Sequence, residues 1–548
     1  YKLEMAYRAA ALAQDVSFKT LNKLADEVEL ATDGYHIIVF NPLPHSRTDV
    51  VRAELRPAHP CSRPMVRLSR TDGIEGPGVY VATNVFGRNL VELTDDLKEG
   101  KFRLIDTRTG AEVPFQIRLL SGPRDLVQYA AEHWALGQKD QRRLFSIEFL
   151  AKDVPATGYT TFQIVPKESG AEYTGNVSAT DTTLESRFYK VTIDCHTGLV
   201  TSVLDKELGR EFVDVSAPHK LNQLVVRSAQ THQEYPMEAV TVSRGACGPL
   251  SASVIISGMA NGCPQVTQEI KVYSDIKRID FSTRVLKDST PLEEIFIAFP
   301  FKAQNKPKFK YESALTIMEP TVDQFPGSNT DYYAVQHWAT LVDGEDSIIL
   351  VSRDSAMIEF GGLWPGYVSQ AHHCVATPDY GHEFLKPGSL EKGWMYSYIL
   401  NGNFQTNFRS VQVSDCLFRY SLTSGKGNWK DGKAKDFGYS VCLPLEVVYM
   451  MGPKNGSLPS THSFCRIEQP NVVLLTFKRA EDGNGFILRL WETEGKDTHA
   501  VVHLPFLKVA QAWETNLVEE NQKELPVQNP LVIPLRAWGI SSVRLKNS

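Results

Sequence analysis

Close cysteine pairs are missing from this sequence. Its eight cysteines, at positions 61, 195, 247, 263, 374, 416, 442 and 465, include no CxxC or comparable spacing. Neither a thiolate metal cluster nor a dense disulfide framework is encoded that way. An excess of positive charge is also missing, since 58 Lys and Arg stand against 64 Asp and Glu, for a formal net charge of -6. Neutralising phosphates requires a basic surface, so nucleic acid is not an expected partner. No run approaches the roughly 18–20 apolar residues of a membrane-spanning helix. The most apolar runs, such as residues 252–260, are short and interrupted, and a membrane is not expected as a partner either. GxSxG, GxxxxGK[ST], HExxH and GxGxxG are all absent, which removes the usual support for serine-hydrolase, nucleotide-binding and zincin chemistry.

What is present is length and apolar content: 548 residues, 42% hydrophobic. At roughly 100–200 residues per domain this is enough for about three to four domains, each with its own core. Residues 4–30 carry a helical pattern, with Met5, Leu12, Val16, Leu21, Leu24 and Val28 recurring among Ala, Lys and Glu. Asp33-Gly34 is read as its stop. Tyr1 is neither an initiator Met nor the start of a signal sequence. It reads as a cut close to a helix whose apolar stripe expects a docked partner.

After residue 34 the period becomes that of strands. Residues 36–40 form a buried-type run halted by Asn41-Pro42, and residues 48–55, 145–149 and 159–165 are short β-branched or aromatic segments. Residues 166–186, rich in Ser, Thr, Gly and Glu, read as a linker. Residues 188–194 and 199–204 read as one hairpin, and 268–273 with 278–286 as another. Further strands are expected at 295–301, 347–352, 395–400 and 441–450, then a second linker at 451–463, then strands at 472–477, 486–491, 500–504 and 541–545. Short strands with turn signals and few helices indicate sandwiches rather than a parallel sheet. Two Asn-X-Ser sequons, at Asn176 and Asn455, complete the local signals.

The chemistry-bearing concentration lies between about 311 and 410. It includes Tyr311-Glu312, Asp323-Gln324-Phe325-Pro326-Gly327, Asp331-Tyr332-Tyr333, Gln336-His337-Trp338, Trp364-Pro365-Gly366, His372-His373, Asp379 to Glu383, and Asn401 to Asn407. Pyranose faces stack on Trp and Tyr while ring hydroxyls need amides and carboxylates, and loops on a rigid β scaffold carry such residues. The competing reading is structural: aromatics in β-rich proteins fill cores, and Asn-Gly is a turn signal. His372, His373, His382 and Glu383 have the ligand chemistry zinc takes, but no periodicity converges them. Asp323, Asp331 and Glu383 are the carboxylates that could form a glycosidase pair.

Several segments, in order, resemble the C-terminal half of the α-mannosidases of glycoside hydrolase family 38. Residues 37–50 are similar to that family's first strand after its helical bundle, and residues 145–165 to the strand pair closing its small β domain. Glu185 to Val191, Thr197-Gly198, Asp205-Lys206 and Gly209 to Glu211 resemble the start of its large sandwich. Arg278-Ile279-Asp280, Ala298 to Phe301, Asp323 to Gly327, Asn401 to Asn407 and Phe418 to Tyr420 resemble stretches further along it. Pro470-Asn471-Val472 and Lys478 to Gly485 resemble the start of the terminal β domain.

The resemblance implies a mainly β fold: a helical-hairpin remnant at 1–33, a small β-sandwich at 34–168, a galactose-mutarotase-like super-sandwich at 175–455 and a C-terminal β-sandwich at 464–548. Family members are retaining, metal-dependent enzymes whose zinc ligands and nucleophile lie in an N-terminal α/β domain. None of those motifs matches this sequence, so no catalytic or metal residue is carried over. Zinc is expected in a missing catalytic domain and no cofactor in this chain. The expected partners are that domain and a mannose-containing glycan, with homo-oligomerisation left open. As substrate-rim residues the resemblance offers Asp323, Gln324, Asp331, Tyr332, His337, Trp338, Asn401, Asn403 and Asn407. Accessory scaffolding of an α-mannosidase is the leading expectation; the alternative is a free-standing carbohydrate-binding or mutarotase-type protein.

Overall fold

The computed structural model describes residues 2–55, 99–120, 144–170, 172–364, 384–402, 411–431 and 433–547. Among them the chain is mainly β, as expected, and the strand pairings described below are antiparallel. It forms two compact units, Tyr1–Thr174 with Leu445–Arg466, and Gly175–Pro444 with Ile467–Ser548.

In the first unit a single continuous helix, Lys2–Asp26, replaces the expected hairpin. The chain is already in a strand at Leu30, ahead of Asp33-Gly34. Strand Leu30–Asn41 pairs on one side with Glu446–Lys454 and on the other with Gly158–Pro166. Side chains alternate between sheet faces, and both faces here are covered. Ile37 and Val39 join Phe162, Ile164, Val51, Ile147 and Phe149 in a core shared with the three-stranded sheet of Arg47–Leu55, Leu144–Val154 and Phe115–Leu120. Ile38 and Phe40 join Ala25, Val28, Tyr159 and Val448 at the helix end. That two-sided burial explains the unbroken apolar run at 36–40.

The second linker expected at 451–463 is largely paired strand. Glu446–Lys454 is an edge of this sheet, and Thr461–Ser463 pairs with Gly158–Pro166. Its glycine serves close approach rather than flexibility: a Cβ on Gly452 would lie 2.2 Å from the carbonyl oxygen of Thr32. The strand expected at 441–450 also begins late. Helix Ala434–Cys442 comes first, because Ala434, Phe437 and Val441 recur at helical spacing and pack with Trp338, Ile349 and Val351. The linker expected at 166–186 contains strands Val177–Ala179 and Thr183–Ser186.

The second unit is built around two facing sheets. Nine strands run in the order Glu238–Cys247, Ser251–Ala260, Cys263–Tyr273, Ile279–Lys287, Ser414–Lys426, Asp346–Ser352, Ala339–Asp343, Lys308–Ser313 and Thr316–Met318. Six run in the order Glu234–Tyr235, Gln223–Ser228, Glu293–Pro300, Trp394–Asn401, Met357–Phe360 and Tyr333–Ala334. Val254, Ile256, Ile270, Phe281 and Leu350 from the larger sheet share one core with Val226, Ile295, Ile297, Phe299, Ile358 and Met395 from the smaller. A further sandwich follows, its larger sheet in the order Val472–Arg479, Phe486–Glu492, Ile540–Asn547, Val509–Thr515 and Asn521–Leu525.

Phe299 is fully buried, 5.0 Å from the Tyr420 ring and 5.9 Å from that of Phe281. Phe299→Ala is expected to destabilise this unit by about 3–5 kcal/mol through lost transfer energy and a residual cavity. Urea unfolding followed by tryptophan fluorescence measures it; a cost below about 1 kcal/mol would mean that this core is not tightly packed.

Candidate functional site

The residues expected to form a rim fall into three places. Asp323 and Gln324 lie on the loop after Thr316–Met318. Asp323 accepts the Glu319 backbone N–H at 2.6 Å and lies 3.6 Å from Lys310 Nζ, while Gln324 Nε2 donates to Tyr311 Oη at 3.2 Å. His337 Nδ1 is 2.8 Å from Glu312 Oε1, which also accepts from Tyr439 Oη at 3.1 Å. The imidazole stacks on Tyr439 with centroids 4.2 Å apart. Trp338 is fully buried and stacks on Trp429 at 5.6 Å, so it is a core residue, the structural reading weighed against a sugar platform. Burial, followed by the charge of Glu312, holds the Tyr439 phenol well above its ordinary pKa.

Asp331 and Asn401 belong to a third place. Asp331 is buried and its charge acts on Glu359, and Asn401 stands opposite Glu294 in the strand register. Tyr332 is half-buried beside Asp331. Asn403 and Asn407 lie outside the described residues, as do His372, His373, His382 and Glu383.

This third place is the second face of the six-stranded sheet. In Glu293–Pro300 the residues alternate, so Ile295, Ile297 and Phe299 enter the large core while Glu294, Phe296 and Ala298 face the other way. There Phe296, Ala298, Val225, Tyr396 and Tyr398 make a smaller cluster. Charge is built into it. Arg227 is the register partner of Glu294 and donates Nε to its Oε2 at 2.8 Å. Tyr398 Oη donates to Glu294 Oε1 at 3.0 Å, and Arg227 Nη2 donates to the Trp364 carbonyl at 2.9 Å. The Trp364 N–H in turn donates to Glu359 Oε2 at 2.8 Å. At the sheet's edge His219 bridges Tyr396 Oη, 3.1 Å from Nδ1, and Glu234, 3.0 Å from Nε2.

Burial raises the Glu359 carboxyl well above the usual 4.5, with the charges of Glu294 and Asp331 pushing the same way against Arg227. Burial and then the Glu294 charge raise Tyr398. The two carboxyls thus sit in contrasting environments, Glu294 ion-paired with Arg227 and Glu359 raised by burial. Of this layer, sequence reasoning found Asp331 and Asn401 and missed Arg227, Glu294, Glu359, Tyr396 and Tyr398. The available signal was a carboxylate inside an apolar strand, as in Glu294-Ile-Phe-Ile-Ala-Phe299 and Ile358-Glu359-Phe360. Among the described residues no group of three or more His, Cys, Asp or Glu is arranged to hold a metal ion.

The paired sandwiches can be set beside known domains. Residues 184–353 match the glycosyl hydrolases family 38 C-terminal domain, and residues 471–543 match the glycosyl hydrolases family 38 C-terminal beta sandwich domain. Those two segments thus match C-terminal domains of glycosyl hydrolase family 38. No curated protein matches the sequence. Among solved structures, an alpha-mannosidase from Enterococcus faecalis V583 is 14% identical with a TM-score of 0.65, covering 98% of this chain and 59% of that one. A glycosyl hydrolase family 38 protein from Enterococcus faecalis is likewise 14% identical with a TM-score of 0.65, covering 98% of this chain and 62% of its own length. This chain spans about three-fifths of the structures it is similar to.

Two predictions follow from the buried layer. Glu359 has a folded pKa above its unfolded one, so in the window above pH 4.5 the native state binds more protons and stability falls as pH rises. Glu359→Gln keeps the acceptor for the Trp364 N–H and removes the ionisation. It is expected to flatten that slope and to exceed the parent chain in stability at pH 7.5, as read by urea midpoints at pH 5 and 7.5. Arg227→Met strands Glu294 and is expected to cost about 3–5 kcal/mol; a neutral outcome in the same assay would show that Glu294 is not charged there.

Proposed function

We propose that this chain is the accessory, β-rich part of an α-mannosidase that hydrolyses terminal α-mannosides of glycans. In this reading it scaffolds a zinc-dependent catalytic domain and contributes to the rim of its site, without cleaving substrate alone. The observation that carries the proposal is coverage: an alpha-mannosidase fold follows 98% of this chain, yet the chain accounts for 59% of that enzyme. Asp323, Gln324, Asp331, Tyr332, His337 and Asn401 remain the proposed rim residues, with Asn403 and Asn407; the burial of Trp338 makes it a support for its loop.

One observation favours the second reading, a free-standing carbohydrate-binding or mutarotase-type protein: the buried Glu359, Glu294 and Arg227 layer could act by itself. Calorimetric titration with mannose and manno-oligosaccharides separates the two. Micromolar binding abolished in Glu359→Gln favours the second reading.

For the leading reading the expected outcome is less than one-tenth equivalent of zinc by elemental analysis and no release of aryl from an aryl α-mannoside. Stoichiometric zinc with robust turnover by this chain would overturn it.

A further inference from the structure

The loop before the last strand carries a conformation that side chains rarely adopt. Trp538 has φ +60°, in the left-handed region where a bulky residue is an outlier. Such strain persists only where the surroundings over-determine it, and it concentrates at functional positions. The indole nevertheless does not fill a core: Trp538 is 48% exposed.

The surroundings are built to hold that indole still. Glu492, fully buried, accepts the backbone N–H groups of Trp538 at 2.9 Å, Glu494 at 2.8 Å, Gly495 at 2.8 Å and Lys496 at 3.1 Å, and the Asn471 side-chain amide at 2.8 Å. One carboxylate therefore ties the Trp538 turn to the neighbouring turn. The Ala537 N–H donates to Asp497 at 2.9 Å, fixing the turn from the other side. Gly495 has φ +74°, and a Cβ there would fall 2.6 Å from both Nε1 and Cε2 of Trp538, so the indole is pressed against bare backbone. Lys430 reaches across from the large sandwich. Its Nζ lies 5.9 Å from the Trp538 ring and 5.2 Å from that of Trp429, and donates to the Glu494 carbonyl at 2.5 Å.

From this locked, exposed indole among charged groups of both signs, we infer that Trp538 is the stacking platform of a saccharide subsite on the C-terminal sandwich. The C–H face of a pyranose would cover the open indole, and its hydroxyls would meet Asp497, Lys430 and Lys496. A preorganised aromatic loses little entropy on binding. A protein hot spot would instead need an apolar surround that excludes water, whereas charged residues dominate here. None of these residues is among the proposed rim residues. Only its ligand class, an α-linked manno-oligosaccharide, rests on the proposed function; the geometry does not.

A single platform of this kind binds at about 1 mM, far weaker than the micromolar binding that marks the free-standing reading. The test titrates α-mannotriose into the full chain, reading calorimetry and the shift in tryptophan emission, alongside Trp538→Ala and Trp538→Gly. The glycine variant relieves the left-handed strain, so its melting temperature should equal or exceed that of the parent. The expected result is millimolar binding by the parent and at least a tenfold loss in both folded variants. Unchanged binding in the folded variants, or no heat and no emission shift in the parent at 20-fold the expected Kd, overturns the subsite. So does self-association of the parent in sedimentation that is lost in Trp538→Ala, which would assign the indole to a protein interface. The proposed function is judged separately, by zinc and turnover.

Discussion

Strand Glu293–Pro300 is buried along its whole length, and most of what is chemical in the second unit depends on that. An antiparallel strand sends alternate side chains to opposite faces, so two-sided burial asks for two compatible layers. Ile295, Ile297 and Phe299 satisfy the first by joining the core beneath the nine-stranded sheet. Once those residues are seated, a slip of one residue would turn them out and Glu294 in, so the register is strongly specified. That register sets Glu294 opposite Arg227. A buried carboxylate without a partner costs several kcal/mol, and the pairing with Arg227 and Tyr398 offsets it. The polar layer is thus a consequence of the apolar one.

The elements legible in the sequence were those with one clear period. Residues 188–194 alternate and form strand Tyr189–Ile193; the hairpin read at 268–286 is Cys263–Tyr273 with Ile279–Lys287. The mainly β class followed from many such segments. What was not legible required long-range knowledge. Nothing local says that Glu446–Lys454 leaves its sequence neighbours to pair with Leu30–Asn41, so its Gly and Pro residues read as a linker. Ala434, Phe437 and Val441 are at helical spacing, but nine residues are too few to outweigh a β-rich context. The site was half legible for the same reason. Trp338 shows the sequence of a platform and the burial of a core residue, while Glu359 gains its raised pKa only from folded neighbours.

The aromatic residues divide by what their surroundings allow. Trp338 and Trp429 stack beside helix Ala434–Cys442, where burial gives their rings packing energy. Lys430 extends that line to the surface, between the rings of Trp429 and Trp538. It crosses from the large sandwich to the terminal one through the Glu494 carbonyl. A core requires density, and Trp338 and Trp429 supply it. Trp538 supplies none: its left-handed backbone is held by the hydrogen bonds that converge on Glu492, and its ring stays half exposed.

A buried ion pair with a raised carboxyl beside it does not by itself argue for catalysis. Arg227 and Glu294 are satisfied by one another, by Tyr398 and by a backbone carbonyl, which is how a structural network is completed. Glu359 is different, because burial raises its carboxyl well above the usual range while it accepts the Trp364 N–H. A protonated carboxyl has an O–H to give. In a scaffold that O–H would be better replaced by an amide or an apolar group, since ionisation only weakens the fold as pH rises. The raised pKa of Glu359 thus makes this position a pH-dependent weakness of the fold. The accessory and free-standing readings part over whether a saccharide is bound by this chain alone.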